Sequence, residues 1–199
     1  MSYTTRRMRH IYIDWIWSAV GIVWLAAAWA SKRAVRREAA ASRLLHMAIM
    51  AAVFALLFPE LPFVGKLPVG PLVWRFAPDS PVIAWTGVVL TVAGCAFAIW
   101  ARLLLGANWS SSVTVKHDHQ LIRKGPYAIV RHPIYSGFLL GMLGTALELG
   151  EWRGIAGLVL AFVGWGMKSR REEDFMAAQF GPAYTDYQHE AKALIPFIL

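Results

Sequence analysis

Apolar residues in this chain fall in long runs, not in the alternating or one-in-three patterns of a water-soluble fold. The first run covers Ile11–Ala30, 20 residues interrupted only by Asp14 near its start. At 1.5 Å per residue, such a helix spans about 30 Å, the thickness of a hydrocarbon core. A second run, Leu44–Val64, is broken at its end by Pro59, Glu60 and Pro62. The connector Gly65–Pro81 is rich in Pro and Gly but apolar at Leu72-Val73-Trp74, a composition that predicts an interfacial segment. The third run, Val82–Ala101, carries no charge and is the strongest span. The fourth and fifth, Pro133–Leu147 and Gly154–Met167, are shorter, and Glu148, Gly150, Glu151 and Arg153 stand between them. They predict a helical hairpin whose helices are extended by flanking polar residues. The pattern gives an all-α integral membrane protein of about five transmembrane helices. It forms one domain, with three N-terminal spans over residues 1–105 and a second region over 106–199.

Composition agrees. Hydrophobic residues make up 57% and charged residues 16%, against roughly a quarter charged in a soluble domain. Arg6, Arg7 and Arg9 before the first run and Ala28-Trp29-Ala30 at its end resemble a cleavable leader. The run is too long and too rich in Trp for one, and is expected to stay as a span. The lone Cys95 lies in the third run and excludes an intramolecular disulfide. A net charge of +8 raises nucleic acid as a partner, but in so apolar a chain the basic residues are expected to flank spans and meet anionic headgroups. Membrane lipid is therefore the expected partner, and nucleic acid is not. With five spans, 14 of the 20 Lys and Arg residues fall on the side that holds residues 32–43, 102–131 and 168–192. The positive-inside rule makes that side cytoplasmic, although Arg6, Arg7 and Arg9 argue the other way.

Polar residues concentrate in Asn108–His132 and Lys168–Glu190. A hairpin of spans four and five starts both segments from one membrane face, so together they can build one site. Pro133 suits the first position of a helix and leaves His132 at its N-terminus beside Arg131, where free N–H groups favour a carboxylate. Lys168-Ser169-Arg170-Arg171-Glu172-Glu173-Asp174 reads on its own as a solvated helix end, with Lys168 and Glu172 as a surface ion pair. Phe175, Met176 and Phe180 form an apolar stripe that lies on the membrane surface or against the hairpin. A new helix starts after Gly181-Pro182, where Tyr184 and Tyr187 pack. Gly137-x-x-x-Gly141 permits close helix approach. No ligand set for a metal is expected.

The order His119-Gln120-Leu121-Ile122-x-x-Gly125-Pro126-Tyr127-x-x-x-Arg131-His132-Pro133-x-Tyr135-x-Gly137, a hairpin, Glu172-Glu173, and Phe180-Gly181-x-x-Tyr184-x-x-Tyr187, ending Ile195-Pro196-Phe197, resembles the isoprenylcysteine carboxyl methyltransferase family. That family belongs to a wider group that includes phospholipid methyltransferases. The resemblance covers roughly residues 100–199. It implies an S-adenosylmethionine-dependent membrane methyltransferase acting on a lipophilic or prenylated substrate, with its pocket and C-terminus cytoplasmic. By the same resemblance, His119, Gln120, Leu121 and Ile122 line the adenosine and Tyr127 packs near the cofactor. His132, Pro133, Ile134 and Tyr135 meet its amino acid moiety, and Glu172 binds its ammonium. Lys168 stands where the family has an arginine for the acceptor carboxylate; it keeps the charge but loses the fork. Arg131 and Arg171 complete the candidate catalytic set, and Arg170 is a further cation near the acceptor. The alternatives are a phospholipid amine acceptor, with Glu173 as base, an NADPH-dependent sterol-type reductase, and a lipid-binding scaffold.

Overall fold

The computed structural model describes residues 3–28, 34–37, 39–58, 70–106, 114–116 and 121–198. Five long helices carry it: α1 (Tyr3–Ala28), α2 (Ala40–Leu57), α3 (Pro81–Leu105), α4 (Pro133–Leu149) and α5 (Trp152–Phe180). A short α6 (Pro182–Glu190) follows. Helices α1, α2 and α3 have the length and apolarity to cross a membrane, whereas α4 is apolar but shorter. The fold is that of a helical integral membrane protein. One ribbon departs from the all-α expectation: β1 (Ala34–Arg37) and β2 (Thr114–Lys116) pair antiparallel.

The predicted hairpin forms. Gly150 ends α4 in the left-handed region (φ 65°), which costs a glycine little, and α5 starts two residues later. Glu148 and Arg153 belong to the two helices and not to the turn. The connector from α2 closes over this tip: Phe76 N–H donates to Gly150 O and Trp152 N–H to Trp74 O, while Arg75 Nη1 donates to Leu149 O. The fifth apolar run ends at Met167, but its helix does not. α5 continues to Phe180 as one 29-residue helix and carries Lys168, Glu172 and Glu173 out of the apolar zone.

α3 and α4 are packed more closely than side chains would allow. A Cβ added at Gly94 would lie under 3.0 Å from the backbone of Gly137 and Gly141, and one at Gly144 would meet Thr91 N at 2.5 Å. Backbone contact of this kind supplies dispersion energy where burial from water cannot drive association. The seam also satisfies its polar atoms. Thr91 Oγ1 donates to Gly87 O (2.9 Å) or Gly141 O (3.2 Å), Thr145 Oγ1 to Gly141 O (3.0 Å), and Trp17 Nε1 of α1 to Thr145 Oγ1 (3.0 Å). Against this pair, α2 contributes Val53 and Leu57 to a core shared with Met142, Leu149, Ala161 and Trp165.

Gly94→Ala should lower the thermal midpoint in detergent, at a cost of about 1–3 kcal/mol for overpacking against backbone. Gly166→Ala, where nothing lies within 4 Å of the added methyl, should leave the midpoint unchanged or raise it. Equal midpoints for the two variants would show that the seam is looser than its geometry.

Candidate functional site

Where α5 leaves the apolar zone it passes the N-terminus of α4. Pro133 opens α4 and His132 is its N-cap, as the dipeptide requires. The imidazole of His132 lies between the two acids of α5, with Nδ1 3.4 Å from Glu172 Oε2 and Nε2 3.1 Å from Glu173 Oε1. Consecutive helical residues diverge by about 100°, so each glutamate has a separate remaining environment. Glu172 accepts from Tyr135 Oη at 2.7 Å. Glu173 accepts from Arg131 Nε at 2.9 Å and Nη2 at 2.7 Å, and its other oxygen accepts from Gln188 at 3.3 Å.

The reading of 168–174 as a solvated helix end does not survive. Lys168 is 7% exposed, and its Nζ sits 5.7 Å over the ring of Tyr135. Its charge helps to hold Glu172 ionised. The ring of Tyr135 is stacked between His132 (5.6 Å) and Trp165 (5.8 Å). Glu172 therefore faces three cationic or polar groups on an aromatic wall. Of the other basic candidates, Arg170 is exposed, and Arg171 donates to Ser42 Oγ at the start of α2. Arg131, besides holding Glu173, donates to the carbonyls of Gln188 and Ala191 and so ties the segment after α6 to the site.

The apolar side forms around Tyr127, Ile134 and Ala101, with Ile122 packed against them. Leu121 packs instead with Met176 and Phe180 against Tyr184, Tyr187 and Ala191. The stripe of Met176 and Phe180 is thus covered by α6 and not by the membrane surface. His119 and Gln120 lie outside the described residues. Sequence reasoning missed two features. Glu173 is as enclosed as Glu172, which the adjacent Arg-His pair could have signalled, since two buried acids need two cations. A strap also crosses the site: Arg131 N–H donates to Lys192 O, His132 N–H to Ala193 O, and Ser136 Oγ to Leu194 O. No pattern in residues 191–194 announces it.

The electrostatics follow from this enclosure, on a part of the chain beyond the apolar runs. Burial alone would pull the imidazole of His132 down, but hydrogen bonds and charge from Glu172 and Glu173 outweigh it and raise its pKa above 6.5. Burial pushes both carboxyls up. Hydrogen bonding to His132, with Lys168 beside Glu172 and Arg131 beside Glu173, holds both below 4.5. The arrangement is an ionised, largely dry cluster.

A family model for isoprenylcysteine carboxyl methyltransferases matches residues 87–178, which include the seam, the α4 N-terminus and both glutamates. The chain resembles the isoprenylcysteine carboxyl methyltransferase family. A protein-S-isoprenylcysteine O-methyltransferase of Schizosaccharomyces pombe is 36% identical over 103 residues, 49% of this chain and 43% of that protein. A probable protein-S-isoprenylcysteine O-methyltransferase of Oryza sativa subsp. indica is 28% identical over 149 residues, 72% of this chain and 69% of that one. The chain thus spans less than half of the yeast relative. Among solved structures, the eukaryotic intramembrane Ras methyltransferase ICMT aligns with a TM-score of 0.51 at 24% identity, over 78% of this chain and 63% of that one. The likeness supports the fold.

The shifts fix a pH window. The His132 contribution to stability is complete below pH 6.5 and is lost as pH rises through the raised folded value. The glutamate contributions are complete above pH 4.5 and are lost as pH falls through the lowered folded values. The difference in thermal midpoint between wild type and His132→Asn should therefore be greatest between about pH 4.5 and 6.5 and shrink on both sides. A difference that stays constant from pH 4 to pH 9 would remove the imidazole from the cluster's charge balance.

Proposed function

We propose that this protein is a membrane methyltransferase that uses S-adenosylmethionine and esterifies the carboxylate of a prenylcysteine-like acceptor. The observation that carries the reading is the placement of Glu172: a carboxylate of α5 held against His132 and Tyr135 at the start of α4, with a buried lysine beside it. The residues present fit the cofactor. Its amino acid moiety is a zwitterion and needs one anion and one set of donors. Glu172 supplies the anion for the ammonium. The N-terminus of α4, at Ile134 and Tyr135, is the positive end of that helix dipole and suits the carboxylate. Tyr127, Ile134 and Ile122 offer an apolar wall for the adenosine, and the family resemblance adds His119 and Gln120. When bound, S-adenosylmethionine supplies a methyl group already activated by the sulfonium.

The work left to the chain is proximity and orientation. Lys168 holds the acceptor carboxylate ionised, because a buried cation favours the anion and a carboxylate needs no base to become nucleophilic. Tyr135 connects the two halves: its hydroxyl binds Glu172 and its ring faces Lys168, so the groups for donor and acceptor share one rigid support. Trp165 backs that ring from the membrane side and excludes water. Arg131 acts on Glu173 and the strap, which makes it a positioning residue, and Arg171 anchors α5 to α2. An amine acceptor would need a base, and Glu173 is spent on Arg131 and His132. We assign the site to the cytoplasmic face, on the balance of Lys and Arg.

Purified protein in lipid should bind S-adenosylhomocysteine in a calorimeter, and Glu172→Gln should weaken binding by about 1.5–3 kcal/mol, the scale for a hydrogen bond to a charged group. Glu173→Gln should lower the thermal midpoint more than it lowers affinity. Binding of NADPH in place of S-adenosylhomocysteine would end the methyltransferase reading.

Lys168→Met should abolish transfer of a radiolabelled methyl group to a prenylcysteine analogue, scored as base-labile methanol, and leave S-adenosylhomocysteine affinity within a few-fold of wild type. Lys168→Arg should retain activity. Turnover with phospholipid amines alone, or full activity in Lys168→Met, would mean that the acceptor is not a carboxylate.

A further inference from the structure

The strap that crosses the site continues into an apolar turn that the protein leaves uncovered. Leu194 is buried, and its carbonyl accepts from Ser136 in the first turn of α4. Immediately after it, Ile195 is 37% exposed, Phe197 94% and Ile198 75%. Ile198 N–H donates to Ile195 O and closes the turn, with Phe197 in the left-handed region at φ 67°, which residues with side chains rarely adopt. An aromatic ring held outward in this way loses contact with its own chain.

The level of this turn identifies what covers it. Ser136 lies three residues into α4, where the apolar run begins, so residues 195–198 leave the protein at the depth at which α4 enters the membrane. Neighbouring groups at that level are of the same kind. Ile129 is 44% exposed and adjoins Val130, which bridges to Lys192. The loop at Gly125 rests near Trp100 and Leu104 at the end of α3, where Trp100 and Leu103 are also exposed. Lys192, exposed and three residues before the turn, supplies positive charge beside it, and the exposed Lys124 does so beside the loop at Gly125. Apolar side chains flanked by lysines suit the boundary between acyl chains and anionic headgroups.

We propose that Ile195, Phe197 and Ile198 insert into the headgroup–acyl boundary of the protein's own bilayer, and that this seating holds the strap 191–194 against Arg131 and His132. The strap's hydrogen bonds reach the main chain of the two residues that neutralise Glu173. The bilayer thereby becomes part of the support of the site. This placement goes beyond the methyltransferase reading and does not require it.

The test uses the full chain in Cys95→Ala background, in vesicles of phosphatidylcholine with phosphatidylglycerol. Nitroxide labels are placed by Ile198→Cys and, as a control on α6, by the exposed Asp186→Cys. The label at 198 should relax faster with oxygen than with a water-soluble nickel chelate, and the label at 186 should show the reverse. Similar behaviour at both sites would overturn insertion, and shielding of 198 from both reagents would mean that a protein surface, such as a second copy, covers the turn. The second measurement is hydrogen exchange of the Arg131 and His132 amides in the same vesicles. With Phe197→Asp and Ile198→Asp together these amides should exchange at least tenfold faster than in wild type. Unchanged exchange would overturn the link from membrane to site.

Discussion

Two adjacent, half-buried carboxylates have to be neutralised, and the architecture around Glu172 and Glu173 follows from that demand. An isolated buried carboxylate would take up a proton to escape the cost of desolvation. Here His132 serves both acids, Lys168 and Tyr135 complete the first, and Arg131 and Gln188 the second. The two acids sit on one helix, and apart from Lys168 their partners come from Arg131 and His132 before α4, Tyr135 in α4 and Gln188 in α6. Satisfying the charges therefore brings together parts of the chain that hydrophobic burial alone would leave in loose register. Removing one partner of such a cluster costs more than the pair contributes, because it leaves a buried charge.

The division between the two acids also divides labour. Glu172 is held by Tyr135 and His132 at the start of α4, with Lys168 beside it. Glu173 is committed to holding Arg131, and through it the carbonyls of Gln188 and Ala191. On the proposed reading, one carboxylate meets the cofactor and the other fixes the frame that keeps the first in place. A family resemblance that names Glu172 for the cofactor is consistent with this difference.

Much of the scaffold was legible because long apolar runs and helix-stop signals are local. Pro133 marks the start of α4, Gly181-Pro182 marks the break before α6, and five long helices appear where apolar runs predict them. The interior of the site was legible only through resemblance. Nothing local distinguishes Lys168 from a surface lysine; it is buried because α5 outlasts its apolar stretch and passes beside Tyr135. The strap was not legible, since its bonds use backbone carbonyls of residues 192–194, and a carbonyl is the same in every residue. Leu121 and Ile122, adjacent in an irregular segment, fall in different clusters, Leu121 with α6 and Ile122 with Tyr127 and Ile134. Drift in chain direction at that scale is set by tertiary contact.

A seam built from backbone makes the chain unequal in what it can survive over evolutionary time. Along α3 and α4 the next larger residue already collides, so replacements there are removed quickly. In α1 and α2 only 17% and 11% of the apolar window is buried inside the protein. Any residue that dissolves in lipid will serve at most of those positions. The match to the family model starts at Gly87, the first glycine of the seam. The first two helices can therefore be reshaped around a different lipophilic molecule without disturbing the backbone contact between α3 and α4.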